Sequence, residues 1–378
     1  MAVTVVEEEW ALLASLLPAG WRELAKETGA MRRARGEIGS PEVLLQMLLL
    51  HVSTGLSLKQ AAARAQLQGL ATISDVGLLK RLRNAERWLR ELARRMFAAS
   101  RFARVQARQP QGRRLRAVDA TTVEEPGATG TDWRVHYTIA LPEMRCDFYE
   151  ITGDTGAESY KRIPLASGDV ILGDRGYCHR DGVAHVLAHD ADVIVRLNST
   201  SFPLLHHRRA EPFGLLAHLR RLHGYRAGEW PVRFAASGAR WPARLCAIRK
   251  SRHASERAKK HIVQRASRKQ QRVRPETLEF AEFVYVLTSL DADTVAAHEV
   301  LELYRARWQI ELCFKRLKTL LHLGHLPKRS DASARAWIEG KLLTVLLIER
   351  LLDEARFFSP WGFELLPPQP LARVPRRT

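Results

Sequence analysis

The sequence predicts an α/β protein, a sheet layered with helices and preceded by an all-helical N-terminal domain. Three observations carry this. Residues 1–105 repeat apolar side chains at three- and four-residue spacing. After Pro110 the texture changes to short alternating or wholly apolar runs. Beyond that point strands come first in hairpin order and then alternate with helical stretches, the order of an α/β sheet.

Taken in order, Glu7–Leu17, Pro41–Thr54, Ser57–Gln66 and a long helix opening at Ser74 read as the N-terminal helices, each with a cap-like start. In the last, Ser74 is the N-cap, and Val76, Leu79, Leu82, Leu89, Leu92 and Met96 form the buried stripe. Its outer face is dense in arginine, from Arg81 and Arg83 to Arg94 and Arg95, and suits a DNA groove. The stretch Leu56–Leu89 has the layout of a helix-turn-helix around Gly69, a layout that any small helical bundle also produces.

Next comes LRAVDATTV, an apolar run ending in an acid. DWRVHYTIAL and RCDFYEIT alternate as a hairpin, DVILGDRGY is a buried strand with a turn at its end, and DVIVRLN is another strand. A helix is expected between the last two, over Asp181–Asp190. From Ser201 the signal is mixed, with strands at YRAGEWPVRFAA and ARLCAIRK and a very basic helical stretch at Ser255–Arg272. FAEFVYVLTSL returns to strand, His298–Leu321 is a long helix, Leu342–Ala355 is a last apolar helix, and the end is a Pro- and Arg-rich tail.

Composition narrows the class. The 378 residues are 46% hydrophobic and 27% charged, globular values that exclude disordered and collagen-like chains. Net charge is +19, which favours a polyanionic partner. The charge is unevenly spread: about +10 over residues 81–118, +14 over 201–270 and −6 over 121–200 between them. Carboxylates to hold cations and cations to hold a polymer are what a metal-dependent enzyme on a phosphate backbone needs, although basic helices also arise as solvated faces. No apolar run approaches the ~20 residues of a membrane span, and MAVTVVEEEW carries acids where a secretory signal needs bases. Four scattered cysteines without a CxxC pair suit free thiols in a reducing cytoplasm.

Three carboxylates stand out by position. Asp119 ends the strand LRAV, Asp174 ends VILG, and Glu311 lies in the long C-terminal helix. Such a set can hold two Mg²⁺ or Mn²⁺ ions about 3.5–4 Å apart for phosphodiester chemistry. Taken singly, the aspartates also fit turns and the glutamate a surface ion pair. On the helix, Tyr304, Arg307, Glu311 and Lys318 share one face, while Ile310, Phe314, Leu317 and Leu321 share another. A carboxylate among two cations and a phenol suits a scissile phosphate; an amphipathic helix with (i, i+4) ion pairs gives the same pattern.

The spacing Tyr-x2-Arg-x3-Glu-x6-Lys in YRARWQIELCFKRLK resembles the YREK signature of DDE transposases of the insertion-sequence-4 family, and VDATTV and LGDRGY resemble that family's two aspartate motifs in the same order. The resemblance implies a ribonuclease-H-like catalytic core interrupted by a mostly β insertion, for which the 136 residues between Asp174 and Glu311 leave room. The implied domains are a helical DNA-binding domain at 1–107, the core at 108–200 and 277–355, a basic insertion at 201–276 and a tail at 356–378. Also implied are Asp119, Asp174 and Glu311 as catalytic ligands of two Mg²⁺ or Mn²⁺ ions, and Tyr304, Arg307 and Lys318 as DNA phosphate contacts. Trp308 would stack on a displaced base or pack in the core. The implied reaction is metal-dependent cleavage at transposon inverted-repeat ends, then strand transfer into target DNA by a synaptic homodimer in the bacterial cytoplasm, at the nucleoid. A catalytically silent DNA-binding remnant acting as a repressor and a host nuclease of the same fold are the competing functions.

Overall fold

The structure, a computed structural model, describes residues 2–31, 38–98, 113–127, 133–141, 144–324, 326–327 and 330–355; the tail expected at 356–378 lies outside them. The N-terminal elements are α1 (Ala2–Ser15), α2 (Trp21–Glu27), α3 (Pro41–Thr54), α4 (Leu58–Leu67), α5 (Asp75–Asn84) and α6 (Glu86–Ala98). Then come β1 (Arg114–Val123), β2 (Trp133–Leu141), β3 (Arg145–Gly153), β4 (Asp169–Gly173), α7 (Arg180–Leu187), β5 (Asp192–Arg196), β6 (Leu205–His206) and α8 (Leu215–Leu219). The chain continues through β7 (Gly228–Ala236), β8 (Ala239–Arg249), α9 (Arg252–Arg268), α10 (Pro275–Phe280), β9 (Phe283–Thr288), α11 (Ala297–Ala306), α12 (Trp308–Leu320) and α13 (Asp331–Ala355). Two compact units result: a helical unit of residues 1–103, 125–127 and 317–378, and a sheet unit of residues 104–124 and 128–316.

In the helical unit, Ser40, Ser57 and Ser74 each accept a backbone N–H of the first turn that follows, and Gln60 returns the bond to Ser57. The single long helix expected from Ser74 is two helices, α5 and α6, broken at Ala85, whose N–H is shared between the carbonyls of Arg81 and Leu82. The buried face runs through Leu78, Leu82, Trp88, Leu89, Leu92 and Met96. Val76 is 57% exposed rather than part of the stripe, because two residues from Leu78 turn it about 200° around the helix. Seven residues, 68–74, separate α4 from α5, longer than the three or four of a helix-turn-helix. Trp21 and Trp88 stack with centroids 6.2 Å apart, and the Trp88 indole N–H donates to the Trp21 carbonyl at 3.0 Å. α13, placed by the sequence in the second part of the core, packs instead on α3, α5 and α6 of the helical unit.

The sheet unit holds nine strands in the order β3-β2-β1-β4-β5-β9-β8-β7-β6. β1, β2 and β3 form an antiparallel meander, β4 and β5 run parallel to β1, and β9, β8, β7 and β6 continue antiparallel. The first five strands therefore have ribonuclease-H-like order and direction. All five residues of β4 are buried, as a central parallel strand requires. The stretch 201–276 is not a separate body: its strands extend the same sheet through β9, which bonds to β5 on one side and β8 on the other. α7 packs against β5 and β7, and α11 against β5, β8 and β9. One apolar cluster joins Val118, Ile171 and Val195 to Phe202, Phe234, Leu245 and Leu287.

At the start of β1 two arginines are paired inside the sheet. Arg114 grips Asp169 with two bonds of 2.6 and 2.7 Å. Arg116, 2% exposed, donates to Asp147 at 2.6 Å, Asp169 at 3.1 Å, Thr138 at 3.2 Å and the Pro164 carbonyl at 2.7 Å. Forked donors matched by carboxylates on neighbouring strands are the arrangement that makes a buried charge tolerable.

Candidate active site

Further along the same strands the expected acids assemble. Ala117 of β1 is in register with Leu172 of β4, the last pair of their parallel ladder, so Asp119 and Asp174, each two residues further on, lie side by side; Asp119 does not end its strand as expected but stands in mid-β1 opposite Tyr137 of β2, while Asp174 directly follows β4. One Asp119 oxygen accepts the Ala120 N–H at 2.8 Å. Asp174 Oδ1 accepts the N–H groups of Gly176 at 2.7 Å and Tyr177 at 3.3 Å, an Asx turn that fixes its carboxylate. Gly173 makes this turn feasible: a Cβ there would stand 2.0 Å from the Tyr160 hydroxyl, which packs beneath the end of β4.

Glu311 arrives from α12. The long helix expected over His298–Leu321 is broken at Arg307, where the N–H groups of Arg307 and Ile310 bond three residues back rather than four. The tightened turn carries the site side chains. Arg307 forms an ion pair with Glu311, and its guanidinium also lies 3.8 Å from Asp119. It sits 5.9 Å from the centre of the Tyr304 ring, which is buried. Trp308 is 52% exposed, so the packing role considered for it is not its role here. Lys318 is exposed and falls in the helical unit; Asp119, Asp174, Tyr304, Arg307, Trp308 and Glu311 are all in the sheet unit.

Charge at this end is unbalanced. Burial pushes the Asp119 carboxyl up to about 7; the charges of Asp174 and Glu158 push the same way, against the Ala120 N–H and Arg307. Glu158 is raised in turn by burial and by Asp174, with Arg134 and His179 opposing. Arg307, whose guanidinium spans Asp119 and Glu311, stands where a cation is called for. Among the described residues no three acid, imidazole or thiol groups are placed closely enough to hold a metal ion as they stand. The donors nevertheless fit Mg²⁺ or Mn²⁺: hard carboxylate oxygens that repel each other, held by a rigid sheet and by α12.

A cleft of about 1060 Å³ opens from Asp174, Tyr304 and Arg307 and runs past Arg175, Arg196 and Lys250 to Phe202, Phe213 and Phe280. Burial, with repulsion from Arg196 and Arg175, lowers Lys250 to about 8. Its ammonium donates to the Ala281 carbonyl at 2.7 Å, and neither Arg175 nor Arg196 has a carboxylate partner among the described residues. Sequence reasoning missed Glu158, Arg175, Arg196 and Lys250. Only the basic balance of 201–270 hinted at the last.

Residues 153–347 match the family model described as the transposase DDE domain. The chain is similar to the putative transposase InsL for insertion sequence element IS186A of Escherichia coli K12, 37% identical over 344 residues, covering 89% of this chain and 91% of the relative. It is equally similar to the transposase for insertion sequence element IS421 of Escherichia coli, 37% identical over 345 residues with the same coverage. Among solved structures, a piggyBac transposase synaptic complex with hairpin DNA aligns with a TM-score of 0.45 at 9% identity, over 94% of this chain and 75% of that one.

Proposed function

This chain belongs to the DDE transposase family and is an enzyme acting on DNA in transposition; from that premise we propose that Asp119, Asp174 and Glu311 hold two Mg²⁺ or Mn²⁺ ions and cut the strand at the inverted-repeat ends. The 3′-hydroxyl so released would attack target DNA. Bound ions supply activation of the attacking oxygen and stabilisation of the leaving one. A single observation carries the reading: the neighbouring parallel strands β1 and β4 present Asp119 and Asp174 side by side, and Arg307 ties Glu311 to Asp119.

The remaining steps belong to the side chains. Arg307 balances Asp119 and Glu311 while no DNA is present. A phosphate oxygen competes for the same guanidinium fork, so DNA draws Arg307 away and releases both carboxylates. Tyr304 backs the guanidinium and offers its phenol to the same phosphate. Lys318 adds a further cation, and the exposed Trp308 stacks on a base displaced at the cut end. Arg175, Arg196 and Lys250 line the cleft that leads the backbone in, and Arg265, Arg268 and Lys269 of α9 and its C-cap, all exposed, hold duplex further out. A homodimer that pairs two ends completes the reaction. No helix among the described residues is long and apolar enough to cross a membrane, and we place the protein with DNA in the bacterial cytoplasm.

The test is cleavage of a labelled duplex carrying the element's own ends, with Mg²⁺ or with EDTA, by wild type and Asp174→Ala. Metal-dependent cutting at the end boundary that vanishes in the variant is expected. DNA shifted but uncut by wild type would leave a binding protein without turnover.

A further inference from the structure

Glu158 lies in the loop between β3 and β4, just before a short 3₁₀ turn (Tyr160–Arg162) in which the Ser159 hydroxyl accepts the Lys161 N–H. It is half-buried yet makes no hydrogen bond or ion pair among the described residues. Its carboxylate packs over Gly176. A Cβ at Gly176 would stand 2.1 Å from Glu158 Oε2 and 3.0 Å from Asp174 Oδ1, so the two carboxylates share one notch that only glycine leaves open. Beneath them lies Tyr177, 1% exposed, whose hydroxyl has no hydrogen-bond partner among the described residues. The charges this phenol feels most are Glu158, Asp119 and Asp174, in that order. Two cations oppose this charge without an ion pair to Glu158: Arg134, whose guanidinium donates to the Gly156 carbonyl at 2.8 Å, and His179, the N-cap residue of α7.

We infer that Glu158 is a fourth carboxylate of the metal site, facing Asp174 across Gly176 and joining Asp119 and Asp174 in receiving a divalent cation. This rests on the ion-binding reading proposed above. Three carboxylates and a buried hydroxyl, with Arg307 shared between Asp119 and Glu311 and Arg134 and His179 acting on Glu158 without an ion pair, are still short of positive charge, and a hard, oxygen-seeking divalent ion is the species that balances them. While Arg307 occupies Glu311, Glu158 supplies the third acid on the sheet side of the site, and the three carboxylates, too far apart as they stand, draw together around an ion as it enters. The rival explanation is that Glu158 braces its loop through Arg134.

Mn²⁺ binding to the full chain, followed by electron paramagnetic resonance, separates these, alongside melting temperature in EDTA. Glu158→Gln is expected to weaken Mn²⁺ at least tenfold, as Asp119→Asn does, while the metal-free melting temperature holds or rises because a like charge is gone. Glu158→Asp, which keeps the charge on a shorter stem, is expected to fall between them and replaces the amide variant should that not fold. Mn²⁺ affinity unchanged in Glu158→Gln but lost in Asp119→Asn overturns the inference and leaves the ion site standing. A lowered metal-free melting temperature in Glu158→Gln overturns it in favour of the brace. Wild type that binds no Mn²⁺ overturns both the inference and the ion-binding reading beneath it.

Discussion

The two ends of β1 carry the same kinds of charge to opposite effect. At its start Arg114 and Arg116 meet Asp147 and Asp169, and each carboxylate has a guanidinium within bonding distance. Toward its other end Asp119 faces Asp174 and Glu158, and one guanidinium is stretched between Asp119 and Glu311. Both ends are buried in one rigid sheet, so flexibility does not distinguish them. What differs is whether the chain supplies its own counter-charge. The start of the strand is closed and structural; the far end leaves places for a cation and a phosphate to fill.

The largest effect expected is on chemistry. Glu311→Gln or Asp119→Asn should reduce end cutting by a factor on the order of 10³ or more, the scale of losing one group that balances developing charge, while gel shifts of end DNA stay intact. Cutting retained in pure variant protein would break the contrast between the ends. Next in size is stability at the paired end. Arg116→Met strips Asp147 of its close guanidinium and leaves Asp169 to Arg114 alone, and should cost about 3 kcal/mol in urea unfolding, whereas Asp119→Asn should cost nothing. Equal losses would mean the two ends are built alike.

A third effect sharpens the comparison through pH. The Asp119 carboxyl is raised in the folded chain from 3.8 to about 7, so folding favours its protonated form. That contribution is fully present below the unfolded value and is lost as pH rises through the folded one. In EDTA the melting temperature should therefore climb as pH falls from about 7.5 towards 5, with a flatter profile in Asp119→Asn. The smallest effect lies away from both ends. Replacing Arg265, Arg268 and Lys269 by alanine should weaken binding to every duplex and flatten the slope of log K against log salt by roughly 3, as three lost phosphate contacts would. An unchanged slope would turn this face of α9 towards solvent.

Much of the site was legible because its residues are anchored by local pattern. Asp119 and Asp174 each follow a short apolar run, although β1 continues past Asp119 to Val123, and the Tyr304–Glu311 spacing is a helical period. What escaped was held together by long-range pairing. Glu158 meets Asp174 through a glycine eighteen residues along, and Lys250 meets Arg196 only because β9 is inserted between β5 and β8. The breaks at Ala85 and Arg307 contain neither glycine nor proline, so nothing in the sequence marked them. The apolar stripe of α13 announced burial but not which partner would bury it.

The placement of β9 also bears on how a substrate gets in. Six residue pairs join β9 to β8 and three join it to β5, so the segment carrying the cleft's outer wall is stitched into the catalytic sheet. It cannot swing like a jaw without tearing those ladders. The distance between Lys250 and Arg196, both lining the cleft, is thus a fixed gauge, set during folding. A strand of the right calibre threads into it with little ordering left to do, and one that is too wide finds no give.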